Sequence, residues 1–241
     1  MNPDTIQKLL ELNRVFYQTF AAQFSATRQR IQPGVRRVLD RLPSNVRILD
    51  LGCGNGELWR ELKRRGFQGL YAGLDFSEEL LAEALQRQAA EAEEAFFLQA
   101  DLSRPDWNRK LPHRQYDYVL AFAVLHHLPG RELRRRVLEN VRALVEENGR
   151  FIHSEWQFLN SPRLRRRIQS WGEIGLEPED VDPGDYLLDW RSGGRGLRYV
   201  HHFDMQELEE LAQETGFQVI ESFLSDGEGG QSGLYQVWEP A

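Results

Sequence analysis

The sequence predicts an α/β protein, built on a doubly wound and mostly parallel sheet with an antiparallel edge. Three observations carry that expectation. Five short apolar runs, at residues 46–51, 70–75, 95–100, 116–121 and 150–155, read as parallel strands buried on both faces, because their hydrophobicity is continuous rather than alternating. Longer amphipathic segments at 57–65, 78–92 and 131–146 lie between them. The length of 241 residues, with 41% hydrophobic, 11% aromatic and 28% charged residues, suits one large core rather than a disordered, fibrous or membrane chain.

Taken in order, residues 1–42 read as a helical cover of two helices placed ahead of the first strand, and 46–156 as the core of the domain. An insertion at 157–200 breaks the alternation after the fifth strand with Pro162, Pro178, Pro183 and the pair Gly193-Gly194. So long an insertion beside the strand ends is expected to serve function. Residues 201–241 close the domain with a helix at 205–215, for which Asp204 is the expected N-cap, and a strand pair at 217–224 and 234–238. In such a fold the ligand belongs at the carboxyl ends of the strands.

Composition excludes several functions. The longest apolar stretch, Tyr118 to Leu125, has 8 residues, far short of the roughly 20 that span a bilayer. No basic, apolar leader opens the chain, and the single Cys53 permits no intrachain disulfide, so a reducing cytoplasm is the expected setting. A net charge of −7 disfavours nucleic-acid binding over the whole surface but leaves room for a local basic face. His126-His127 and His201-His202 are adjacent pairs without companion cysteines, and no metal site is expected. There is neither a phosphate loop ending in G-K-[ST] nor a G-x-S-x-G elbow.

The densest signal is ILDLGCGNGEL at residues 48–58: an apolar strand, Asp50, then Gly52, Gly54 and Gly56 leading into a helix. A pyrophosphate would be repelled by Asp50, whereas a cationic ligand would be drawn to it; S-adenosylmethionine carries a sulfonium and an ammonium and no phosphate. Asp75, at the end of the second strand, is placed to accept from both ribose hydroxyls. After the third strand, Asp101 can accept the adenine amino group, with the backbone N–H of Leu102 donating to the ring. Ala121, ending the fourth strand, completes the expected cofactor set.

This array resembles the class I S-adenosylmethionine-dependent methyltransferases, which implies their seven-stranded Rossmann-like sheet. Three outer pieces narrow the resemblance: the run FSATR that ends in Arg28, GDYLLDW at 184–190 and RYVHHF at 198–203. Together they look like the tRNA wobble-uridine carboxymethyl methyltransferases and their bacterial relatives, although this chain has Asp189 where members carry a proline before the tryptophan. The resemblance implies transfer of a methyl group to a carboxylate, with Arg28 and Arg198 near the acceptor and His126 lining the pocket. It also implies Tyr17 and Arg28 closing over cofactor and substrate, and a small activator protein as a partner. Arginine suits the acceptor because its planar fork matches a carboxylate.

Three arginine clusters fit a tRNA partner: residues 28–47 with Arg28, Arg30, Arg36, Arg37, Arg41 and Arg47, then Arg163-Leu164-Arg165-Arg166-Arg167, and Arg131 with Arg134, Arg135 and Arg136. Trp171, Trp190 and Tyr186 are candidates to stack on bases. Two alternatives stay open: a methyltransferase acting on a small metabolite or natural product, with the insertion as a lid, and a silent cofactor-binding subunit.

Overall fold

The computed structural model describes residues 1–27, 30–88 and 95–241. Helices α1 (Pro3–Thr27) and α2 (Pro33–Leu39) precede the sheet. Next come β1 (Arg47–Leu51), α3 (Glu57–Arg64), β2 (Leu70–Asp75), α4 (Glu78–Gln88), β3 (Phe96–Gln99), β4 (Tyr116–Phe122), α5 (Arg131–Leu144) and β5 (Val145–Trp156). The insertion folds as α6 (Pro162–Arg165), β6 (Ile168–Gln169), β7 (Asp185–Trp190) and β8 (Gly196–His201). The chain closes with α7 (Met205–Glu214), β9 (Phe217–Ser225) and β10 (Gly233–Pro240).

Seven strands form one sheet in the order β3-β2-β1-β4-β5-β10-β9. The first five are parallel, and β10 runs antiparallel to both β5 and β9, which makes the antiparallel edge that the sequence predicts. Continuous hydrophobicity has a direct cause here. Leu49, Leu51, Val119, Ala121 and Phe151 pack on the layer that contains α5 and α7, while Ile48, Leu120 and Ile152 pack on the layer of α2 and α3. Asp204 caps α7 by accepting from the Glu207 amide at 2.8 Å. The strand order turns back between β1 and β4, and a crevice opens there at the carboxyl ends.

The insertion is more ordered than its prolines and glycines imply. β6, β7 and β8 form a second, antiparallel sheet, and β8 lies along α1. The Asn13 side chain brackets the free edge of β8, its Oδ1 accepting from the Tyr199 amide at 2.8 Å and its Nδ2 donating to the Tyr199 carbonyl at 3.1 Å. His201 is clamped between Asp185 at 2.6 Å and Glu207 at 2.8 Å, which ties the small sheet to α7. Burial pulls the His201 pKa down, but the two carboxylates outweigh it and leave it raised. Among the described residues, no helix is long and apolar enough to cross a membrane.

Candidate active site

The crevice holds a cavity of about 990 Å³, open to solvent on one side. Its floor is the glycine turn after β1. Gly52 has φ +74° and Gly54 φ +54°, both in the left-handed region. A Cβ on Gly52 would stand 2.6 Å from Val124, whereas at Gly54 nothing lies within 4 Å, so backbone there is laid bare for a ligand. The turn is held by Asp75, whose Oδ2 accepts from the Gly54 amide at 2.8 Å and whose Oδ1 accepts from the Ser77 amide at 2.9 Å.

One face of α1 makes the opposite wall with Leu10, Asn13, Arg14 and Tyr17, spaced for a helix. Tyr17 Oη lies 2.7 Å from His127 Nε2. Asp101 and Leu102 stand beside them, and Arg14 reaches Asp101 Oδ2 at 3.1 Å. The other Asp101 oxygen accepts from the Ser103 amide and hydroxyl, so this acid arrives at the cavity already oriented. A connected cavity shares Gly52, Gly54, Leu80 and Phe122 and adds Asp50, Asn55, Glu57 and Arg30.

Asp50 is buried and accepts from the Tyr71 hydroxyl at 2.5 Å. Burial pushes its pKa up to about 7; the Tyr71 hydrogen bond opposes this and the Asp75 charge adds to it. Burial likewise raises Asp75. Two acids held above their ordinary range over one glycine turn form a field that gains from a cation.

The structure gathers Tyr17, Asp50, Gly52, Gly54, Asp75, Asp101 and Leu102 around the two cavities. It moves other expected residues elsewhere. Gly56 lines neither cavity: it precedes α3, and a Cβ there would stand 3.1 Å from Ala84 and from Phe97, so its role is close packing. Ala121 is fully buried in the sheet core, and the residues that follow it, Phe122 and Ala123, line the cavity instead. Ala123 has φ +59°, rare without glycine, and its amide donates to Ser154 O at 2.9 Å. His126 also lies behind the wall, 1% exposed, with Nδ1 2.8 Å from Glu155 Oε2, while its neighbour His127 faces the cavity. Glu155 further contacts His153, whose pKa burial lowers to about 3, and burial raises Glu155 itself.

Arg198 stands outside the cavity, behind α1. Its guanidinium carbon lies 4.7 Å from the Trp156 ring centroid, 5.3 Å from Phe16 and 5.7 Å from Trp190. Phe16 meets the Tyr17 ring edge-on at 5.1 Å, so one aromatic ring separates this buried cation from the cavity wall. Arg28 lies outside the described residues. Tyr186 packs edge-on against Phe158, and Trp171 joins the cluster around Leu9. Sequence reasoning missed Arg14, Asn13, His127 and Ala123. Helical spacing from Tyr17 pointed to the first two, but nothing in the sequence marks an alanine for a left-handed backbone.

Comparison with known proteins gives the family. The methyltransferase-domain family matches residues 24–222. A protein of Encephalitozoon cuniculi named as a methyltransferase is 32% identical over 209 residues, 86% of this chain and 87% of its own. The tRNA (carboxymethyluridine(34)-5-O)-methyltransferase of Schizosaccharomyces pombe is 23% identical over 223 residues, covering 85% and 88% of the two chains. Among solved structures, a SAM-dependent methyltransferase of Methanosarcina mazei superposes with a TM-score of 0.66 at 19% identity, over 87% of this chain and 98% of that one. The chain belongs to the methyltransferase-domain family, and its cavity carries the acids and bare glycine backbone that S-adenosylmethionine requires.

Proposed function

We propose that this methyltransferase esterifies a carboxylate, that of a carboxymethyl group on the wobble uridine of a tRNA, with S-adenosylmethionine as donor. When bound, the donor supplies a methyl group already activated by its sulfonium, so the protein has to align the acceptor and exclude water. Asp75 and Asp101 fit the ribose and adenine, Asp50 favours the cationic portion, and the α1 wall covers them. A carboxylate is ionised at neutral pH and needs no general base.

The observation that carries the acceptor class is Arg198. A buried guanidinium packed against three aromatic rings, one ring behind the cavity wall, offers the fork that suits a carboxylate. The yeast relative, alike over nearly its whole length, supports the nucleoside. A cytoplasmic setting goes with this reading, and a small activator protein belongs to it as a further component of the assay.

The test is methyl transfer to tRNA bearing an unesterified wobble carboxymethyluridine, read by nucleoside mass spectrometry. A new methyl ester is expected, and Arg198→Ala is expected to reduce turnover by about a hundredfold or more while cofactor affinity stays within a few fold. Confirmed cofactor binding with no ester on tRNA, and transfer to a small acid instead, would overturn the nucleoside and leave the methyltransferase.

A further inference from the structure

The arginine clusters, so similar in the sequence, have different fates in the fold. On α5, Arg131 pairs with Glu210 and Glu214, Arg135 with Glu132 and Glu139, and buried Arg134 with Glu207. Near the N-terminus, Arg37 and Arg41 share Glu221, and Arg47 takes Asp117 and Glu146. These cations are neutralised within the molecule. Among the described residues Arg30, Arg36 and Arg136 of the same two clusters have no carboxylate within ion-pair distance, but Arg36 and Arg136 each stand beside a paired arginine and Arg30 lines the connected cavity. The run Arg163, Arg165, Arg166 and Arg167 is different: among the described residues none of the four has a carboxylate within ion-pair distance.

A shortage of acids does not explain this. The same insertion pairs Arg191 with Asp189 at 2.6 Å and Arg195 with Glu173 at 2.8 Å, and spends Asp182 on the terminal amine of Met1 at 3.0 Å. Its acids are gathered between Glu173 and Asp189, and its unpaired cations sit on α6. Leu164 anchors that turn against the cluster of Phe158, Leu188 and Val200, leaving Arg163, Arg165 and Arg166 exposed around it.

Position gives the cluster its meaning. α6 begins six residues after Trp156, the last residue of β5, and therefore lies at the carboxyl end of the sheet, where the cavity opens. Ile168, just past the run, pairs with Leu188, and Leu188 pairs with Arg198. The backbone following the cluster is thus two strand spacings from Arg198, about 10 Å. Four cations along one turn exceed the charge of a simple carboxylic acid and match a chain of phosphates that continues past the acceptor nucleotide.

We infer that α6 and the start of β6 form the surface that grips the ribose-phosphate backbone of the RNA acceptor. This inference rests on the tRNA reading given above and adds the docking site to it. Affinity through this surface is electrostatic and independent of sequence; the choice of nucleoside is left to the pocket.

The experiment measures binding of a fluorescently labelled tRNA transcript by anisotropy across ionic strengths, for the wild type and the variant Arg163→Gln/Arg165→Gln/Arg166→Gln. A second variant, Arg109→Gln/Lys110→Gln/Arg114→Gln, removes the same charge ahead of β4, at the amino end of the sheet. The α6 variant is expected to lose about tenfold in affinity and to flatten the salt dependence by about two units of slope, with cofactor binding and circular dichroism unchanged. The amino-end variant is expected to stay within about twofold of wild type. Equal weakening of both variants, or none in the α6 variant, overturns the docking surface and leaves the tRNA reading standing. Failure of the wild type to bind tRNA overturns both.

Discussion

The two halves of this site are built in opposite ways. The cofactor half is local: an acid, two glycines and an acid at the next strand end, all within 26 residues from Asp50 to Asp75, with backbone amides bonded to the second acid. The half proposed for the acceptor is assembled from distance, since Phe16, Trp156, Trp190 and Arg198 meet only because α1, β5 and the small sheet converge. Backbone turns tolerate few substitutions and fix one ligand; a cage of side chains on an inserted sheet can be rebuilt without disturbing them. That division explains how one core serves many acceptors.

The sharpest break of the comparison is Asp75→Ala. It removes the acceptor for one backbone amide of the glycine turn, Gly54, and for that of Ser77 after β2, and leaves the Arg198 cage untouched, so cofactor affinity is expected to fall by about a hundredfold or more in calorimetry. Thermal unfolding, which the two buried acids already burden, is expected to change little.

Asp50→Asn gives a smaller and pH-dependent effect. The pKa of Asp50 rises from 3.8 unfolded to about 7 folded, so its contribution to stability is fully present below about pH 4 and is lost as pH rises through 7. The variant has no such loss. It is expected to be more stable than wild type at pH 8, by on the order of 1–3 kcal/mol, yet to bind the cationic cofactor about tenfold more weakly. Both gaps are expected to narrow as pH drops below 7, where the wild-type acid takes up its proton; calorimetry and melting curves at several pH values check this.

The smallest effect belongs to the acceptor half. The folded pKa of His201 is raised above 6.5 between Asp185 and Glu207, so its stabilisation is fully present below pH 6.5 and fades as pH rises through the folded value. His201→Gln is expected to flatten the fall in melting temperature over that interval by a few degrees. An unchanged slope would mean that the clamp holds the small sheet without its charge.

How far the sequence could be read follows the same division. The strands, the glycine turn, Asp75, Asp101 and the Asp204 cap are legible because each depends on spacing within a few residues. Ala121 and His126 each fall one residue short of a cavity-lining position, at Phe122 and His127, beside a left-handed Ala123 that no sequence pattern marks. The sheet β6-β7-β8 was hidden because its strands are short and divided by Pro178, Pro183 and the Gly193-Gly194 turn. Pairing of surface arginines is a property of the folded surface, and the three clusters differ in how many of their arginines meet a carboxylate.

Asn13 belongs to both halves at once. Its helix walls the cofactor cavity, and its amide stands in for a missing strand at the edge of β8. A rigid lift of α1 off the cavity would break both of these bonds and expose the Tyr199 amide and carbonyl together.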